Sequence, residues 1–136
     1  MPSSSLFLAE RIARPPEEVY AYASDPTHLP AWASGLGSGV EQIAGEWYVE
    51  SPMGRVRIRF AEPNAFGVLD HDVTLPSGET VRNPMRVTPD GDGAEVVFTL
   101  RRAPGVSDEE FARDAGLVAG DLARLKAILE GSDAPD

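Results

Sequence analysis

One segment of this chain can form a long amphipathic helix, and a whole sheet has to share it. Phe111, Ala115, Val118, Leu122, Leu125 and Leu129 recur at spacings of three and four, which draws a single apolar stripe along about six turns. Ser107-Asp108-Glu109-Glu110 reads as a capping box that starts this helix. Gly131 stops it, and residues 131–136 read as a frayed tail. Everything from Val40 to Arg102 is strand-like, broken by short turns. A flat sheet of that size cannot cover its apolar face with one helix, so it must curl around the helix. The space left near the open end of such a sheet is where a ligand fits.

The strands are predicted at Leu6–Ala13, Val40–Ile43, Glu46–Ser51, Arg55–Phe60, Gly67–Leu75, Thr80–Val87 and Glu95–Arg102. Short turns between neighbours imply antiparallel pairing. Arg14-Pro15-Pro16 breaks the first strand, and Pro16 with Glu17 and Glu18 suits a helix start. Ser24-Asp25-Pro26 ends that short helix, and Thr27 is expected to cap a second one carrying Leu29, Trp32 and Ala33. Ser34 to Gly39 reads as a glycine-rich loop or rim. The expected fold is therefore α+β, a curved seven-stranded antiparallel sheet wrapped around a C-terminal helix, as one domain over residues 1–136.

Composition removes several functions. The absence of cysteine excludes disulfides, thiolate metal sites and a cysteine nucleophile. A formal net charge of −10 and arginines interleaved with apolar residues or acids argue against nucleic acid as a partner. No apolar run approaches a membrane span, and the N-terminal residues carry no basic export signal, so membrane insertion is not expected and the cytoplasm is the expected compartment. No phosphate cradle, dinucleotide fingerprint or serine–histidine–acid arrangement is present, and no cofactor is expected.

Two stretches, Ile12-Ala13-Arg14-Pro15-Pro16-Glu17-Glu18-Val19-Tyr20 and Ser24-Asp25-Pro26-Thr27-His28-Leu29-Pro30-Ala31-Trp32, together with the helix Phe111–Leu129, resemble the START-like helix-grip superfamily, in its bacterial polyketide cyclase/dehydrase and lipid-transport branch. The resemblance spans nearly the whole chain. It implies a cavity between sheet and helix, and a function as ligand carrier, cyclase/dehydrase-type enzyme or protein-interaction module. It supplies no catalytic motif to transfer, so function has to be argued from the site.

Alternation on Gly67–Leu75 puts Leu69, His71, Val73 and Leu75 inward, and Asp70 and Asp72 outward. A turn at Pro76-Ser77-Gly78 then sets His71 opposite Asn83. An imidazole beside an amide in an apolar hollow can orient a ligand carbonyl or move a proton, which makes His71 the candidate for acid–base work. The expected ligand-contacting set is His71, Asn83, Trp32, Ile58, Leu69, Met85, Phe98, Val118 and Leu122, and the expected ligand is a small, mostly apolar molecule. Asp70-His71-Asp72 is not read as a metal site, because alternation separates the acids from the histidine. Gly116 and Gly120, off the helix stripe, leave room for a homodimer contact. On the outer face, pairing Phe60 with Leu69 sets Arg59 beside Asp70 and Arg57 beside Asp72, with Arg82 and Arg86 beyond: a charge ladder. Pro84 leaves the register of its strand open.

Overall fold

The computed structural model describes residues 5–33, 39–52 and 54–131. The glycine-rich stretch after Ala33 and the C-terminal tail lie outside the described residues, apart from Gly39 and Gly131.

Strand β1 (Ser5–Ile12) leads through Pro15 into helix α1 (Pro16–Ala23). A single 3-10 turn (Pro26–His28) follows, then the short helix α2 (Leu29–Trp32). Thr27 does not cap α2, whose N-cap His28 makes no side-chain cap bond; Asp25 instead caps the 3-10 turn, its carboxylate accepting from the Thr27 N–H at 3.0 Å and from the Thr27 hydroxyl at 2.7 Å. A carboxylate one residue before Pro26 reaches past the proline, which has no N–H, to the free N–H of Thr27.

Five strands, β2 (Val40–Ile43), β3 (Glu46–Ser51), β4 (Gly54–Phe60), β5 (His71–Thr74) and β6 (Thr80–Asn83), form one antiparallel sheet in chain order. Strands β7 (Met85–Asp90) and β8 (Gly93–Arg101) join β1 in a second sheet, ordered β1-β8-β7. Helix α3 (Asp108–Gly131) closes the domain. Ser107 and Glu110 form the predicted reciprocal cap, with N–H to side-chain distances of 3.0 and 3.1 Å.

Among the described residues there are eight strands in two sheets, not seven in one. Pro84 divides the expected Thr80–Val87 strand. It has no N–H for the ladder, and the chain changes sheet across it. The expected Gly67–Leu75 strand is also shorter, reaching only His71–Thr74. Asn64 takes the preceding segment out of the ladder: its Oδ1 accepts from Phe66 and Val68 N–H, and its Nδ2 donates to the Glu62 and Val68 carbonyls. Gly67, at φ +73°, then passes so close to β7 that a Cβ there would lie 2.0 Å from the Val87 carbonyl oxygen. No residue but glycine fits. Leu69 N–H to Met85 O at 2.8 Å and Val87 N–H to Gly67 O at 2.9 Å stitch this segment to β7 and so join the two sheets.

The core holds Ile12, Val19, Ala23, Val56, Ile58, Leu69, Met85, Val96, Leu122 and Leu125, each at most 1% exposed. Helix α3 packs mainly on β1, with lesser contact to β8 and α2. Its C-terminal end is tied to the β1–α1 link. Arg14 donates to the Leu129 carbonyl at 3.0 Å, Lys126 to the Arg11 carbonyl at 2.8 Å, and the Glu130 carboxylate accepts from the Ala13 N–H at 2.7 Å. Arg14 satisfies a carbonyl that the C-terminal turn of the helix leaves open, while Lys126 and Glu130 partner backbone groups of the β1–α1 link. The N-terminal half is looser: Leu122, Leu125 and Leu129 are buried, while Phe111, Ala115 and Val118 are half-buried.

A half-open cavity beside an inward histidine

The inner face of β3 and β4 is written by alternation. Trp47 pairs with Ile58 and Val49 with Val56, and Phe60 continues the row. Val49, Val56 and Ile58 are sealed in the core, whereas Trp47 and Phe60 at the strand ends are only half-buried. They open on a cavity of about 570 Å³, roofed by Tyr20, Ser24 and Pro26 from the end of α1 and bounded by Glu46, Arg59 and Glu62. Arg59 is ion-paired to Glu46 at 2.6 Å, so its charge is answered at the rim. The size lies within the range of small-molecule pockets, roughly 300–1,000 Å³.

His71 stands on the other side of Phe60, with ring centroids 5.2 Å apart, and Phe98 of β8 lies 6.1 Å from it. It pairs with Asn83 across β5 and β6 as read from the sequence, but its other neighbour is Phe60, not Ile58. The β4–β5 connection is longer than a tight turn, because the Asn64 network adds residues to it, and this shifts the register by two. A shift of two preserves the face, so the inward and outward sets survive.

The Nδ1 of His71 lies 3.0 Å from the Leu69 carbonyl. A carbonyl only accepts, so Nδ1 carries the proton of the neutral ring and Nε2 is left as an acceptor. Burial among apolar rings lowers the imidazole pKa from its usual value, against the opposing pull of the Leu69 carbonyl, Asp70 and Asp72. The ring is therefore neutral at pH 7. A smaller hollow of about 260 Å³ reaches it, bounded by Phe60, Ala61, Asp70 and Arg82.

The other expected contacts divide. Ile58 lines the larger cavity. Trp32, Leu69, Met85 and Leu122 are packed into the core at 5, 1, 1 and 1% exposure, and Asn83, Phe98 and Val118 are half-buried. Trp32 brings one unusual feature: its indole Nε1–H is buried with no hydrogen-bond partner among the described residues. Tyr20, Trp47 and Phe60, which line the cavity, are absent from the ligand-contacting set expected from the sequence. For Trp47 and Phe60 the available signal is their position near strand ends, since aromatic groups there have one side without a neighbour.

The outer face carries the expected opposite charges in altered partnerships. Arg82 binds Asp72 through 2.9 and 3.1 Å contacts, and Arg86 binds Asp70 through 3.0 and 2.9 Å contacts. On the β4 side Arg59 stands opposite Asp72 but pairs with Glu46, and Arg57 stands opposite Thr74. Among the described residues no group of three histidine, aspartate or glutamate side chains is placed to hold a metal ion, and no helix is long and apolar enough to cross a membrane. A Cβ at Gly116 or Gly120 would meet nothing within 4 Å, so that side of α3 is open.

Antiparallel sheets curled over a long C-terminal helix, entered through a strand and two short helices, define a helix-grip protein. More narrowly, the chain belongs to the polyketide cyclase / dehydrase and lipid transport family, whose model matches residues 8–130. No curated protein sequence matches it. Among solved structures it is similar to the Aha1 dimer from Colwellia psychrerythraea (14% identity, TM-score 0.75, 96% of this chain and 99% of that one). It is also similar to Ara h 8.0201 (12% identity, TM-score 0.71, 96% and 99%). The similarity to DynU16, a protein of the dynemicin biosynthetic locus, has 17% identity and a TM-score of 0.71. It covers 96% of this chain and 49% of DynU16, so the chain spans about half of that protein's length. At these identities the likeness is one of fold.

Proposed function

We propose that the chain binds a small, mostly apolar, uncharged molecule in the cavity floored by Trp47, Ile58 and Phe60, and that the molecule reaches past Phe60 to His71 and Asn83 as its polar contacts. The observation that carries this reading is the half-buried inner face of β3 and β4. Apolar side chains that share a row with the sealed core stay open to a cavity of about 570 Å³. Leaving such surface wet forgoes roughly 25 cal/mol per Å², which a bound apolar molecule recovers. The family and the fold support a cavity of this kind. The net charge of −10 and the Arg59–Glu46 pair disfavour an anionic ligand.

The test is binding of the uncharged dye N-phenyl-1-naphthylamine, read by its fluorescence and by quenching of Trp47 in a Trp32→Phe background. Native mass spectrometry of the purified protein for a retained small molecule complements it. Saturable binding that Phe60→Ala or Trp47→Ala weakens is expected. No binding, no retained molecule and no thermal stabilisation by apolar compounds would overturn the reading and favour a protein-interaction module.

A cyclase/dehydrase-type activity is the second reading, and the orientation of His71 favours it. A neutral imidazole with Nδ1–H held by a carbonyl presents Nε2 as a proton acceptor, the arrangement a general base requires. Turnover that His71→Gln abolishes while dye affinity is retained would establish it.

A further inference from the structure

A second cavity, of about 530 Å³, lies behind the first and is mostly apolar. It is bounded by Pro16 and Glu17 on α1, by Ala65 and Phe66 of the β4–β5 connection, and by Val87 and Pro89 on β7. Phe66 is 81% exposed at its lip. Among the described residues the two cavities share one lining residue, Tyr20.

Tyr20 is held in the position of a partition. It lies on α1 next to Val19, which is fully buried and fixes that face of the helix against the core. Its hydroxyl accepts the Asn64 N–H at 3.1 Å. Asn64 is itself locked by four side-chain hydrogen bonds of 2.9–3.0 Å, so the peptide that Tyr20 meets is rigid. Tyr20 therefore borders both the cavity of Trp47, Ile58 and Phe60 and the one of Phe66 and Val87.

We infer that Tyr20 sets the length of the molecule this protein accepts, and that the second cavity is an apolar extension of the binding site, closed off in the native chain. The inference rests on the ligand-binding reading above. The ligand class is an uncharged apolar chain, which ends against Tyr20 in the native protein and would run on toward Phe66 where the ring is removed.

The test uses straight-chain 1-alkanols, from hexanol to hexadecanol, displacing N-phenyl-1-naphthylamine from the full chain. Each methylene that enters apolar space raises affinity about four-fold, and the rise stops when the chain meets a wall. In Tyr20→Ala the plateau is expected several carbons later than in the native protein, a gain of about ten-fold or more for the longest alkanols. Tyr20→Phe keeps the ring and should keep the native plateau. Ala65→Trp fills the second cavity from its exposed side; it should leave the native plateau alone and restore it in Tyr20→Ala. If Tyr20→Ala does not fold, Tyr20→Leu carries the same expectation. An unchanged plateau in the ring-deleted variants overturns this inference alone, as does a shift in Tyr20→Phe as large as in Tyr20→Ala. Failure of every alkanol to bind the native protein overturns it together with the reading on which it rests.

Discussion

Replacing Asp70 should expose how this fold survives a proline between two sheets. Met85 is 1% exposed, and as the first residue after Pro84 its N–H belongs to neither ladder. The Asp70 carboxylate accepts that N–H at 2.9 Å and holds Arg86 through two further contacts. The Arg86 guanidinium keeps the Asp70 carboxyl below the usual carboxylate range, with the Met85 N–H adding to the effect against partial burial. Asp70→Ala leaves a buried N–H unpartnered, which costs about 1–3 kcal/mol. The ion pair adds little, roughly 0–1 kcal/mol, because the Arg86 side chain is 53% exposed. A loss of about 2–3 kcal/mol is expected, or roughly 10 °C in Tm for a domain of this size.

Asp70→Asn separates the two contributions. The amide oxygen can still accept from Met85, so only the charge is lost, and a fall of about 1 kcal/mol or less is expected. Thermal melts in low salt and in 1 M NaCl provide the assay. The gap between native and Asp70→Asn should shrink with salt, while the gap between Asp70→Asn and Asp70→Ala should not. Equal destabilisation by the two variants, or a loss below about 0.5 kcal/mol in Asp70→Ala, would refute the argument that the buried N–H dominates. The sign with pH also follows. A carboxyl whose folded pKa is depressed contributes stability that is fully present above its unfolded value. That stability is lost as pH falls from about 4 through the folded pKa.

Gly67→Ala should be among the most disruptive changes, because φ +73° and a carbonyl oxygen 2.0 Å from the new Cβ force β7 to move; a loss above about 3 kcal/mol by urea unfolding is expected. His71→Ala should barely alter stability but weaken dye or ligand binding a few-fold, about 1 kcal/mol; a large fall in Tm with binding unchanged would make its role structural. With the folded pKa of His71 depressed, the unfolded chain takes up its proton first, so stability falls as pH drops below about 6.5, and His71→Phe should remove that component from the Tm–pH curve. Ser107→Ala should cost α3 about 1 kcal/mol in chemical denaturation, since it removes the Glu110 N–H acceptor.

Period and punctuation made most of the fold legible. The α3 stripe, the capping box at Ser107 and the strands β2 to β4 follow from side-chain spacing and local turn chemistry, which act within a few residues. The facing pair His71 and Asn83 was legible for the same reason: a tight turn at Pro76 to Gly78 fixes their register. The β4–β5 register was not, because it depends on Asn64, whose side chain closes four hydrogen bonds that no period encodes. The change of sheet at Pro84 was signalled by the proline, but not its direction, since that depends on Asp70 and Leu69 meeting Met85 across the fold. The cavity was the least legible feature. Trp47 and Phe60 carry the same alternation as Val49 and Ile58, and only the packing of α1 over the strand ends decides which of them stays open.

The position of the cavity follows from how far one helix can reach. Helix α3 has 24 residues and is thus about 36 Å long, but its width with side chains is only about 10–12 Å. Strands lie about 4.8 Å apart, so such a helix covers two or three of them. It lies on β1 and β8, the sheet whose outer strand β7 is also held by α1. The five-stranded sheet β2–β6 must then be closed by what remains, the edge of α3 and the two short helices of 8 and 4 residues. Those suffice near Val49, Val56 and Ile58 and run out at Trp47 and Phe60. Pro84 makes the shortfall unavoidable, because by sending the chain into a second sheet it widens the surface to be covered without supplying another helix. An apolar cavity is therefore a consequence of the strand-to-helix ratio in this sequence, and its location beside α1 places Tyr20, not a residue of α3, against whatever enters it.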